Sequence, residues 1–239
     1  MPEAEAAPAG RRSDEFLLGV WQILPLAIAL IPFGLIMGAL CAQKGLSALE
    51  TVSMGALVFA GSAQFVVAGL WHYPIPWLAV IAATAMINSR HLLMGAALAP
   101  SMQRFGRRQS YLALYFLADE IWALALRRAA AGPLTAAYYF GLSLPLYFSW
   151  LLWTTVGNLV GSTIADPKRY GFDFVFAAVF LVILLGLNKA RPNLLPIAVS
   201  SAVALATWKF LPGPTYIFAG GLAGTLAGAF GWRRGADAP

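Results

Sequence analysis

ETVSMGALVFAGSAQFVVAGLWHYPIPWLAVIAATAMINSR, residues 50–90, is the stretch that decides the fold class. Between Glu50 and Arg90 there is no formal charge for 39 residues, and only His72 titrates near neutrality. A bilayer core takes about 20 apolar residues per helix, so the stretch reads as two spans joined at Trp71-His72-Tyr73-Pro74-Ile75-Pro76. A charge inside hydrocarbon costs several kcal/mol or more. Residues 16–41 and 129–165 are likewise free of charge, as that cost requires. Across the chain 60% of residues are apolar, 11% are charged and the mean hydropathy is +0.73. A soluble domain carries about a quarter charged residues. The reading is an all-α integral membrane protein, a polytopic bundle of about seven or eight transmembrane helices, some of them short or broken.

The expected spans are 16–41, 50–70, 76–100, 109–126, 138–160, 170–187, 194–211 and 216–232, the last two parted by Pro212-Gly213-Pro214. They form a single transmembrane domain over 16–232, between a disordered tail (1–15) and a short C-terminal tail (233–239). The apolar run after Arg11-Arg12 is too long for a signal peptide, and the acidic residues Asp14-Glu15 spoil the spacing of a twin-arginine signal. Aromatic residues at segment ends (Trp71, Tyr73, Trp77, Tyr138, Tyr139, Tyr170, Trp208, Tyr216, Trp232) suggest interfacial belts. The sixth and seventh spans are short, which calls for tilt, re-entry or snorkelling.

The net charge of +6 assigns the basic residues to anionic headgroups at helix ends rather than to nucleic acid. With the N-terminus inside and all segments crossing, the inner side holds Arg11, Arg12, Arg127, Arg128, Lys189, Arg191, Arg233 and Arg234. The outer side then holds Lys44, Arg104, Arg107, Arg108, Lys168, Arg169 and Lys209. That balance gives no orientation, and a re-entrant early segment would move loop 104–108 inside and 127–128 out. Leu24-Pro25-Leu26 and Leu144-Pro145-Leu146 each precede two glycines four apart, Gly34/Gly38 and Gly157/Gly161, an echo of the kind left by duplicated halves.

Several chemistries fall away. The single cysteine, Cys41, excludes an intrachain disulfide and a cysteine-rich metal site. His72 and His91 are too isolated for a metal centre, and no cofactor is expected. There is no G-x-x-x-x-G-K-[ST] loop for ATP hydrolysis. Ser62 and His91 lack the context of a hydrolase dyad, so the protein is read as not an enzyme.

The polar residues inside the apolar runs are the candidates for function. Asn88-Ser89-Arg90-His91 interrupts the third run, and broken helices line substrate paths; the alternative is a helix end with Arg90 snorkelling to the headgroups. Asp119-Glu120 lies mid-span with no base three or four residues away, so any partner comes from across the bundle, as either a functional or a fastening pair. Gly61-Ser62-Ala63-Gln64 permits close approach of a ligand or, equally, helix packing with Gln64 as an interhelical bond. Pro32, with Pro25, kinks the first helix, and Gly34/Gly38 and the glycine stripe 220–228 read chiefly as packing faces, the second also as a place for a partner subunit.

Taken together, Pro32-Phe33-Gly34, Phe59-Ala60-Gly61-Ser62-Ala63-Gln64-Phe65, Asn88-x-Arg90-His91-Leu92-Leu93 and Asp119-Glu120 resemble the AzlC/YgaZ family, large subunits of branched-chain amino-acid exporters. The resemblance covers approximately residues 16–187, with the blocks in order. One departure is Ser89, where the family usually has Leu. The resemblance implies export of amino acids such as valine and leucine, driven by the proton gradient, from the bacterial inner (plasma) membrane. It also implies a small hydrophobic AzlD/YgaH-like membrane subunit as partner; a homo-oligomer is compatible with the sequence. A zwitterionic solute needs a cation, an anion and an apolar pocket. The expected site therefore gives Arg90 to the carboxylate, with Asn88 and Gln64 adding hydrogen bonds. Asp119 takes the ammonium or carries the coupling proton, with Glu120 and His91 as further proton-coupling candidates. Gly61 and Ser62 let the ligand approach the backbone, and Pro32, Gly34 and Gly38 act as the hinge. The alternatives are transport of another small zwitterion or weak acid, and a non-transporting membrane scaffold.

Overall fold

A computed structural model describes residues 12–163, 194–211 and 215–236. Every regular element among them is helical. In chain order these are α1 (Arg12–Ala29), α2 (Ile31–Gln43), α3 (Ala48–Leu57), α4 (Gly61–Leu70), α5 (Trp77–Asn88), α6 (Arg90–Leu98) with a 3₁₀ turn Ala99–Met102, α7 (Arg107–Tyr115), α8 (Asp119–Ala131), α9 (Ala136–Gly161), α10 (Leu194–Phe210) and α11 (Thr215–Ala236). The expected sixth span, 170–187, lies outside the described residues. The described residues divide into two compact units, the first of residues 12–69 with 87–163 and the second of residues 70–86 with 194–211 and 215–236.

The four apolar runs that precede α9 are each interrupted. The first is bent by 53° between α1 and α2; Leu30 sits at the bend and Pro32 is the second residue of α2, where its missing N–H and ring clash keep the first helix from continuing straight. The second run breaks at residues 58–60, where Val58 turns extended (φ −131°, ψ 89°). The fourth breaks at residues 116–118, where Ala118 is extended (φ −135°, ψ 163°). The third run keeps its direction: Ser89 stays in the helical region (φ −56°, ψ −27°), and Trp77–Met102 forms 26 residues long and apolar enough to cross a bilayer. The interruption expected at Asn88–His91 is therefore a lapse in hydrogen bonding, bridged by Leu92 N–H to Ser89 O at 3.1 Å. Among the described residues, α1 with α2 form a second run of that length and composition if the bent pair is one span.

In the first unit, α9 is the post against which α1, α2 and α3 pack. Its 26 residues extend about 39 Å at 1.5 Å per residue. The seam is glycine on both sides. A Cβ on Gly34 would lie 2.8 Å from Trp153 Cβ, one on Gly161 would lie 2.8 Å from Ala39 Cβ, and one on Gly38 would lie 2.8 Å from Gly157 C. Lower down, Gly19 meets Tyr138 and Gly141. Approach this close leaves no room for a side chain at these glycines. The glycine pairs of the two sequence echoes, Gly34/Gly38 and Gly157/Gly161, thus lie along a single interface.

The seam also fixes direction. From Gly19 to Ala39 on one side, partner numbers rise from Tyr138 to Gly161 on the other, so α1–α2 and α9 run parallel. At the common end, Arg128 Nη2 lies 2.8 Å from Glu15 Oε1, and Thr135 Oγ1 donates to Glu15 Oε2 at 3.1 Å. The end of α8 therefore stands beside the starts of α1 and α9.

Tyr138 and Tyr139 depart from the interfacial belt. Both are fully buried, because each hydroxyl has a protein acceptor: Gln22 Oε1 at 2.5 Å for Tyr138 and Ala113 O at 2.8 Å for Tyr139. Tyr73, Trp77 and Trp208 are exposed. In the second unit, α10 and α11 pack through the glycine stripe. Gly220 meets Ala204 and Ser200, Gly224 meets Ser200 and Pro196, and Gly221 faces the Met86 sulfur. These glycines serve as a packing face within the chain.

Candidate functional site

The interruptions bring the polar residues together within the first unit. The α3–α4 break is held open by Gln64. Its Nε2 donates to Val58 O at 2.6 Å and, more weakly, to Met54 O at 3.4 Å, satisfying carbonyls that a continuous helix would have used. Its Oε1 accepts from Trp150 Nε1 on α9 at 2.9 Å. Trp150 in turn closes over Gly61, where a Cβ would lie 3.2 Å from the indole. The hydroxyls of Tyr115 and Tyr147 both donate to Ala56 O, and Tyr147 stacks edge-on against Phe59 (5.2 Å) and Phe116 (5.1 Å). The α7–α8 break has a similar brace in Tyr139, whose hydroxyl takes Ala113 O.

These braces leave Ser62 in the first turn of α4 and Asp119 at the start of α8. Arg90 reaches both. Its Nη2 donates to Ser62 Oγ at 2.6 Å and lies 3.0 Å from Asp119 Oδ2. The partner expected for Asp119 from across the bundle is thus Arg90, 29 positions earlier in the chain. The two side chains are 34% and 47% exposed, so the pair can be reached rather than being sealed in the core. Ser62 and Asp119, each in the first turn of its helix, meet at the guanidinium, and helix N-termini favour anions.

The remaining candidates take distinct places. Gln64 is buried at 2% exposure with its amide committed to Val58, Met54 and Trp150; it shapes the break rather than facing the ion pair. Gly61 gives room to Trp150 rather than to open space. His91 Nδ1 lies 3.1 Å from Asn88 O; a carbonyl only accepts, so this nitrogen carries the proton and the imidazole ties down the α5–α6 joint. Glu120 follows Asp119 by about 100° around the helix and takes no part in the ion pair. Gly34 and Gly38 form the seam with α9, and the bend itself lies at Leu30–Pro32.

Five buried side-chain nitrogen or oxygen atoms among the described residues have no hydrogen-bond partner in the protein, and three of them belong to the elements of this site: Asn88 Oδ1, Arg90 Nε and Trp122 Nε1. Trp122 was not marked by the sequence. Its only signal there was position, three residues beyond Asp119.

The site is thus an all-helical scaffold of interrupted helices that carries a partly exposed arginine–aspartate pair. Residues 25–164 match the family described as AzlC protein, and the chain belongs to that family. A protein of Archaeoglobus fulgidus named an uncharacterized membrane protein is 30% identical, over 92% of this chain and 96% of its own length. The inner membrane protein YgaZ of Escherichia coli K12 is 27% identical, over 94% and 93% respectively. The branched-chain amino acid transport protein AzlC of Bacillus subtilis is 24% identical, over 68% of this chain and 63% of its own length. No solved structure matches.

Proposed function

We propose that the chain is a secondary transporter that exports branched-chain amino acids such as valine and leucine across the bacterial inner membrane. It works through seven or eight spans, coupled to the proton gradient, and with a small hydrophobic AzlD/YgaH-like subunit. The observation that carries this reading is the Arg90–Asp119 pair, at 3.0 Å and exposed. A zwitterion brings a carboxylate and an ammonium, and so can exchange one ion pair for two. The carboxylate takes Arg90 and the helix start at Ser62. Asp119, released, takes the ammonium or a proton. Competition between Asp119 and the substrate carboxylate for one guanidinium links occupancy to protonation. Family membership and the name of the Bacillus subtilis relative support the substrate class.

The test is export of labelled valine, leucine and methionine from preloaded cells, with the chain alone and with an AzlD-like partner. Export that disappears in Arg90→Ala, with the variant still in the membrane, supports the reading. Export unaffected by Arg90→Ala removes Arg90 from the site, and no export in any combination removes the substrate class.

A further inference from the structure

We infer that Trp122 is a substrate-contact residue whose indole N–H, together with Arg90 Nε–H, binds the carboxylate of the transported amino acid. This rests on the transport reading above and assigns a further residue to it. The starting point is energetic. A buried N–H without a partner costs about 1–3 kcal/mol, and such groups in folded proteins call for an explanation. Trp122 Nε1 is buried and unpartnered although the residue, partly buried, packs against the hydrophobic core cluster of this unit. A tryptophan serving only as core filler would be replaced there by phenylalanine at no polar cost.

Position puts the indole on the face of α8 that carries Asp119. Trp122 stands three residues after Asp119 on α8, and residues three apart share a helix face. Helical side chains lean toward the N-terminus and cover the preceding turn, which here is the turn that begins at Asp119. Asp119 on that face touches Arg90 at 3.0 Å, and Arg90 Nε is itself buried and unpartnered.

The chemistry of the three unpartnered atoms is also selective. Trp122 Nε1–H and Arg90 Nε–H only donate, and Asn88 Oδ1 only accepts. Two donors suit a carboxylate and one acceptor suits an ammonium, so by donor and acceptor type the three atoms correspond to the two ends of an α-amino acid. A neutral apolar solute would leave all three unsatisfied, and a simple anion would leave Asn88 unsatisfied.

The carboxylate is common to every amino acid, and that gives the test its signature. Trp122→Phe keeps an aromatic ring in the core and removes the N–H. Transport kinetics of this variant with the full complex are expected to show KM raised about tenfold for valine and for leucine by the same factor, with Vmax near wild type. Trp122→His, which keeps a ring N–H, is expected to recover part of the loss. If the phenylalanine variant does not reach the membrane, Trp122→Leu serves for the same comparison. An unchanged KM, a fall in Vmax alone, or a changed valine-to-leucine ratio would overturn the assignment while leaving the transport reading in place. A wild-type complex that moves no amino acid would remove both.

Discussion

Replacing Gly38 by alanine puts one methyl group into a seam made of backbone. The new Cβ would lie 2.8 Å from the carbonyl carbon of Gly157 and closer still to Thr154 O and Asn158 N. These are main-chain atoms of α9, so no rotamer change relieves the clash, and α2 and α9 must move apart. Asn158 moves with them; its Nδ2 donates to Thr51 Oγ1 at 2.8 Å and to Leu46 O at 3.0 Å, tying α9 to the α2–α3 corner. Overpacking a filled interior costs about 1–3 kcal/mol, which for a protein of this length corresponds to a fall in Tm of roughly 2–12 °C. The assay is thermal unfolding of the purified protein in detergent, with Gly132→Ala as control, since nothing lies within 4 Å of a Cβ there. A Gly38→Ala protein that melts with the wild type would refute the close packing of α2 on α9, and with it the argument for their direction.

Other consequences are as direct. Gln64→Leu strips the brace from Val58 O and leaves Trp150 Nε1 without its acceptor; a loss of about 1–3 kcal/mol is expected in the same melting assay, together with reduced export. At the end of the bundle, Glu15→Gln and Arg128→Met each unpair a partly buried charge. Each alone is expected to destabilise more than the two together, in a double-mutant cycle on Tm. In a background lacking Cys41, cysteines placed at residues 12 and 129 are expected to be labelled by an impermeant maleimide from the same face of the membrane, because Glu15 and Arg128 meet; labelling from opposite faces would refute the parallel seam.

The charge-free runs were legible because hydrocarbon tolerates no unpaired ions, and Arg90 and Asp119 stood out for the same reason. The sequence showed only that any partner of Asp119 had to come from another helix; that it is Arg90 emerged from the folded chain. The glycine stripes were legible as packing faces, although the sequence could not say which face met which. The breaks at residues 58–60 and 116–118 were not legible. Val58, Phe59, Phe116 and Leu117 are as apolar as the helices around them, and the stops are imposed from other helices by Gln64, Tyr115, Tyr147 and Tyr139. Asn88–His91 was the opposite case: a polar block that looks like a break is accommodated within one 26-residue helical run, with Ser89 in the helical region. Gln64 was visible as an important polar residue, yet its role depends on carbonyls that only the folded chain brings within reach. Trp122 gave no sign because an orphaned N–H exists only once its surroundings have closed around it.

The central claim is that the Arg90–Asp119 pair receives the substrate. Equilibrium binding of labelled leucine to the purified protein tests it most directly, comparing wild type with Arg90→Gln and Asp119→Asn at matched folded fraction. The account predicts saturable binding by the wild type that unlabelled valine competes away, weakened roughly hundredfold or more in Arg90→Gln, as expected when a paired carboxylate loses its cation. Leucine bound by Arg90→Gln with wild-type affinity would contradict it.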